Sequence, residues 1–298
     1  MNFAKSGRET CREKGSARAL STMAISRDTI LSLGNKLAPA AATFSRLRTL
    51  LLDPEVDLDE IVKVIRLDPA LTFHVVRMSN SVLFGLRDRV DSLDTAVGRV
   101  GLGEVFRLVG LAATQQVCQR DLTTYRMPAS RLWENAVATA AAAELLAKRA
   151  GRDPGLAYTA GLLRTVGRVI IDGAAMGAVY PGEREWPSVA EWEKQTFGIT
   201  SAEATTLLLT HWRFPSELVE AVAGHFEPLG ADGANLSACV LNLACGVAAR
   251  FGLDLPGEEG DWLCTPAKLT LAGVSEADLE ECANRARAHY VLLCATVA

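Results

Sequence analysis

The chain has 298 residues, 49% of them hydrophobic and 22% charged, with a net charge of −4. That length can bury a substantial core as one large domain or two smaller ones, and the acidic balance excludes a global attraction to nucleic acid or anionic membrane. Seven cysteines, without C-x-x-C or zinc-finger spacing, read as reduced thiols of a cytoplasmic protein, and no apolar run approaches the roughly 20 residues that span a bilayer.

Residues 1–24 are polar and basic, with Lys5, Arg8, Arg12, Lys14 and Arg18, and are expected to form a flexible basic tail. Phe44, Leu47 and Leu51 predict an amphipathic helix running to Asp53-Pro54. Asp57 with Glu60 three residues on reads as a capping box ahead of the stripe Leu58, Ile61, Val62 and Ile65. Asp68-Pro69 opens a further helix with Leu71, Val75 and Met78 inward and His74 on the solvated side. Asn80 to Gly85 ends it. Ser92 caps a short helix closed by Gly101, and residues 104–118 form another. Residues 25–120 are therefore expected to be a bundle of five or six short helices.

The segment DLTTYRMPAS, residues 121–130, is the expected boundary. Residues 130–298 follow as a second helical unit, with helices over 131–149, 161–172, 188–196, 201–212, 216–225, 236–251 and 275–294. Ser188 and Glu191 read as a capping box. Residues 252–265, rich in Pro, Gly and acids, read as a surface loop. The fold class is all-α.

The run RLDPALTFHVVRMSNSVLFGLRDRVDSLDTAVGRVGLGEVFRLV, residues 66–109, resembles the HDOD family, the HD-related output domains of bacterial signalling proteins. The matching pieces are Asp68-Pro69-Ala70-Leu71-Thr72, Asn80-Ser81, Phe84-Gly85, Ser92-Leu93, Ala96-Val97 and Gly101, and fixed pieces in one order are a specific signal. A fainter likeness continues through Trp133, Gly161-Leu162-Leu163, Gly167, Trp212, Pro215 and His225. The resemblance implies an N-terminal helical bundle packed against a C-terminal HD-like helical subdomain. HD phosphohydrolases hold a divalent metal with a His, an adjacent His-Asp pair and a further Asp. The ion sharpens a water for attack on phosphate.

On that pattern Asn135 stands for the first His, Arg164-Thr165 for the His-Asp pair and Cys245 for the late Asp, while His225 remains. An amide and a hydroxyl are weak ligands, and a guanidinium has no lone pair and repels a cation. No cofactor and no metal are therefore expected, and no G-x-S-x-G, reactive Cys or phosphate loop offers other chemistry. Arg164 either clasps an anion in the metal's place or, more plainly, pairs with an internal acid or reaches solvent. The leading expectation is a non-catalytic bacterial regulatory domain that acts by binding signalling proteins. The alternative is a nucleotide or cyclic-nucleotide sensor using the remnant pocket of Asn135, Arg164, Thr165, His225 and Cys245. A third reading is a metal-dependent phosphohydrolase using His225 with nearby acids. Neither membrane nor nucleic acid is an expected partner.

Overall fold

Many helix starts in this chain are set by side chains that satisfy free backbone amides. In the computed structural model, which describes residues 23–51, 53, 55–80, 90–182, 184–186, 188–230 and 233–297, the first half runs as α1 (Arg27–Leu51), α2 (Leu58–Arg66), α3 (Pro69–Ser79), α4 (Leu93–Val100) and α5 (Leu102–Val117). Ser81, Phe84, Gly85 and residues 1–22 of the expected tail lie outside the described residues. Asp57, Asp68 and Ser92 cap α2, α3 and α4 through the amides of Asp59, Leu71 and Thr95. The Asp57 cap is one-way, not the reciprocal box expected with Glu60. Asn80 ties the end of α3 to the approach to α4: its Nδ2 donates to the Val90 carbonyl, and its Oδ1 accepts from the Val90 amide, both at 2.7 Å.

The second half begins after a 3-10 turn at Thr123–Tyr125 and comprises α6 (Ala129–Arg149), α7 (Pro154–Leu163), α8 (Val166–Ala174), α9 (Val189–Phe197), α10 (Ser201–His211), α11 (Ser216–Gly224), α12 (Leu236–Arg250), α13 (Pro266–Ala272) and α14 (Glu276–Val297). No strand occurs among the described residues; Leu122 and Met127 form an isolated bridge. The fold is all-α, as expected. Ser188 caps α9 through the Glu191 amide, and the full capping box falls instead at α10, between Thr200 and Glu203.

Two further expectations fail. The helix expected over 161–172 is two helices, α7 and α8, interrupted at Arg164 and Thr165. Residues 252–265 are not a surface loop: Leu253, Leu255, Glu258 and Trp262 are all buried. Their Pro, Gly and acid content resembles a loop, but these four side chains anchor the segment inward as a strap across the helices.

Helix α1 starts well before Phe44 and packs against α2 and α5 on one side and against α8 and α10 on the other. One contiguous apolar cluster extends from Ile30 to Leu293. In α6, buried alanines at 136, 138 and 140–143 leave room for α7 to approach closely. A Cβ on Gly161 would lie 2.6 Å from the Ala140 Cα, and one on Gly167 would lie 1.9 Å from the Ser201 carbonyl oxygen.

These approaches predict a contrast measurable by urea unfolding. Gly161→Ala and Gly167→Ala should each cost about 1–3 kcal/mol or more, because backbone must move to admit the methyl. Gly98 in α4 is exposed, and a Cβ added there would meet nothing within 4 Å; Gly98→Ala should stabilise by about 0.5–1 kcal/mol through helix propensity.

Candidate functional site

The break between α7 and α8 is held by one hydroxyl from α10. Thr205 Oγ1 accepts from the Gly167 amide at 2.9 Å and lies 3.1 Å from the Arg164 carbonyl and 2.8 Å from that of Ser201. This satisfies the backbone where helical bonding lapses, and the bare Gly167 lets α8 sit against Ser201. The interruption places Arg164 at the end of α7 and Arg168 one turn into α8, both aimed inward.

Both guanidiniums converge on Glu258 from the strap. Arg164 donates to Oε2 at 3.1 Å and to Oε1 at 3.4 Å, and Arg168 donates to Oε1 at 2.6 Å. All three side chains are 1% exposed. Arg164 also donates to Asn135 Oδ1 at 2.8 Å, while Asn135 Nδ2 donates to the Leu253 carbonyl at 2.7 Å. Arg168 donates to the Pro256 carbonyl at 3.0 Å. Aromatic faces complete the enclosure, with Trp262 5.2 Å from the Arg164 guanidinium carbon and Tyr125 4.9 Å from that of Arg168. Burial raises the pKa of Glu258, but the charges of Arg164 and Arg168 outweigh it and hold the carboxyl below its ordinary range.

The expected site residues are brought together in part. Asn135 and Arg164 touch; His225 and Cys245 lie near enough to Arg164 to feel its charge. Thr165 is buried and lines a small void with Thr114, Val117 and Cys118 of the α5 end; it meets the cluster only through its carbonyl, which accepts from the Arg168 amide at 3.0 Å. The His225 ring stacks on Trp262 and its Nδ1 lies 2.7 Å from the Val222 carbonyl. Burial and then the Arg164 charge depress its imidazole to about 3, so it is neutral at ordinary pH. Burial pushes the Cys245 thiol up to about 12. Of the other histidines, His211 ends α10, while His74 in α3 is half-buried, not fully solvated.

Four members of the site escaped the sequence reading: Arg168, Glu258, Tyr125 and Glu193. Arg168 carried a faint signal, four residues after Arg164 on one helical face. Glu258 carried none, since it stands among Glu259 and Asp261 in an apparently polar run. Tyr125 donates to Glu193 Oε1 at 2.7 Å, and Glu193 Oε2 accepts from the Ser201 amide at 2.6 Å, extending the polar network to α9 and α10.

An HD-type metal does not fit these residues. The Asn135 amide oxygen and both Glu258 oxygens are already engaged by arginine, and a protonated thiol and a guanidinium supply no anionic ligand. Among the described residues no group of three or more His, Cys, Asp or Glu is arranged to hold a metal ion. No described helix is long and apolar enough to cross a membrane.

Fold and site together define an all-helical module of the HD-like class, in which a buried ion cluster lies between α7, α8 and the strap. The chain belongs to the HDOD domain family, whose model matches residues 37–228. It is 27% identical over 181 residues to an uncharacterized protein of Treponema pallidum (strain Nichols), a match over 58% of this chain and 34% of that protein, so the matched part spans about a third of that curated relative. Among solved structures, a candidate phosphohydrolase from Shewanella amazonensis SB2B superposes with a TM-score of 0.63 at 24% identity, over 90% of this chain and 96% of that one. A candidate signal transduction protein from Marinobacter aquaeolei VT8 gives 0.62 at 23%, over 85% and 58%. At these identities the structural likeness establishes the fold.

Removing the Glu258 carboxylate should strand two buried guanidiniums. Glu258→Leu is expected to cost about 3–5 kcal/mol in denaturant unfolding; a cost under about 1 kcal/mol would contradict the pairing. The depressed Glu258 contributes stability that is present above the unfolded carboxylate range and is lost as pH falls toward its folded value. His225 acts in the same direction. Its imidazole takes up a proton when unfolded but not when folded, between about 6.5 and about 3. Asp261, which burial raises to about 6, opposes this, so the clean readout is a difference. As pH falls below about 6.5, His225→Phe should gain on the wild type by up to about 1.4 kcal/mol per pH unit. A pH-independent offset would contradict the neutral buried imidazole.

Proposed function

We propose that this chain is a non-catalytic regulatory module of bacterial signal transduction, working in the cytoplasm through contacts with other signalling proteins. The observation that carries the reading is the Arg164–Glu258–Arg168 cluster, which puts fixed positive charge where HD hydrolases keep a metal ion. Hydrolysis by that chemistry needs an ion with an open position for water, and here the available oxygens hold guanidiniums instead. The Marinobacter relative's signalling description agrees with the reading, while the Shewanella description points to hydrolysis. The donor set of this chain favours the first.

The nucleotide-sensing alternative at the same place is weaker. Arg164 already bonds Asn135 and Glu258 and is 3% exposed, so a phosphate entering there must displace a buried carboxylate. Binding of partners is favoured over binding of nucleotide at this cluster for that reason.

The test is metal loading combined with hydrolysis. Protein dialysed against Mn²⁺, Mg²⁺ or Zn²⁺ should retain only substoichiometric metal by plasma mass spectrometry and leave bis(p-nitrophenyl) phosphate and cyclic dinucleotides intact. Chemical crosslinking in the native cell should join the same chain to a signalling protein. One or two retained ions with phosphodiester turnover lost in Arg164→Ala would overturn the proposal.

A further inference from the structure

A groove well away from the Arg164 cluster separates α5 of the first half from α6, α7 and α14 of the second, with a volume of about 620 Å³. That size lies within the range of small-molecule sites, about 300–1,000 Å³, and its lining is of the same kind: apolar walls with a few polar groups. Phe106, Leu145 and Tyr158 supply the walls. Two of these rings are fixed in place, Phe106 by stacking on Phe44 at 4.7 Å between centroids and Tyr158 by a 3.3 Å hydrogen bond from its hydroxyl to the Arg107 carbonyl.

The polar lining holds three cations, Arg107, Lys148 and Arg285, together with Glu144 and His289. Arg107 is matched by Glu144 and Glu104, leaving its charge committed. Lys148 on α6 has no hydrogen-bond or ion-pair partner among the described residues. Arg285 on α14 has only the exposed Glu281 at 3.6 Å, one turn earlier on its own helix. An unpaired Lys148 and an Arg285 held only by a 3.6 Å pair on its own helix thus face one concavity of a protein whose net charge is −4. A cleft with low-dielectric walls concentrates such a field and draws the opposite charge.

We propose that this groove binds a small organic anion, with a phosphate or carboxylate head held by Lys148 and Arg285 and an apolar or aromatic body laid against Phe106 and Tyr158. A free metal ion is repelled by the same pair. Because the walls come from both halves of the fold, the occupied groove favours one packing of α5 against α14 and gives the module an input. The inference stands whether or not the Arg164 cluster is catalytically silent, since none of its residues lines the groove.

The probe is 8-anilinonaphthalene-1-sulfonate, which carries an aromatic body and one negative head, titrated into the full chain and followed by fluorescence. Saturable binding at one site is expected, weakened about tenfold or more by Lys148→Glu with Arg285→Glu, since each charged hydrogen bond is worth roughly a factor of ten. Gly103 borders the groove and a Cβ there meets nothing within 4 Å; Gly103→Phe should therefore block binding while leaving the melting temperature close to that of the wild type. Lys63→Glu, at a separate surface, should change nothing. Displacement by guanosine monophosphate assigns a phosphate head, and displacement by laurate assigns a carboxylate. Absence of saturable binding, binding unaffected by the charge-reversal and Gly103 variants, or a probe that neither competitor displaces would overturn the inference.

Discussion

Two arginines sharing one buried carboxylate is the constraint around which the second half of this protein is arranged. A guanidinium in a dry interior is tolerable only with a well-placed anion and further hydrogen bonds. Here Glu258 serves both Arg164 and Arg168, and Asn135 and the Pro256 carbonyl take remaining donors. The requirement dictates backbone as well as side chains. The helix must break at Arg164 so that two arginines point at one place, and the strap must fold inward to deliver the acid. Breaking that contact would leave an uncompensated charge in the core.

The same constraint connects packing to function. Small residues at the seams, Gly161 over Ala140 and Gly167 over Ser201, draw α7 and α8 so close to their neighbours that little room remains around the cluster. Aromatic faces from Trp262 and Tyr125 fill what is left. The centre of the helical frame is thereby a sealed polar keystone. The groove between α5 and α14 lies open, away from this centre.

Much of the frame was legible in the chain itself. Asp68-Pro69 and Ser92 mark helix starts by chemistry that depends on neighbours in sequence, and the structure uses both. The Asn135–Arg164 association was reachable because an HD-like pattern places those positions together. Long-range facts were not. Nothing local distinguishes Glu258 from Glu259, and the burial of one beside the exposure of the other is settled only when α7 and α8 present their arginines. The break at Arg164 was hidden for a related reason: its apolar spacing runs on uninterrupted, and the hydroxyl that ends α7 arrives from Thr205, forty-one positions away. Thr165 was grouped with the site because Arg164-Thr165 stands where the resemblance puts a His-Asp pair, yet its side chain lines a separate void beside α5.

The most direct measurement is a double-mutant cycle between Arg164→Met and Glu258→Leu, read as unfolding free energy in urea at neutral pH. If the shared carboxylate organises the interior, the two losses should be strongly non-additive, with a coupling of about 2–3 kcal/mol, near the upper end for residues in contact. Losses that sum to within about 0.5 kcal/mol, as for distant independent sites, would contradict the account.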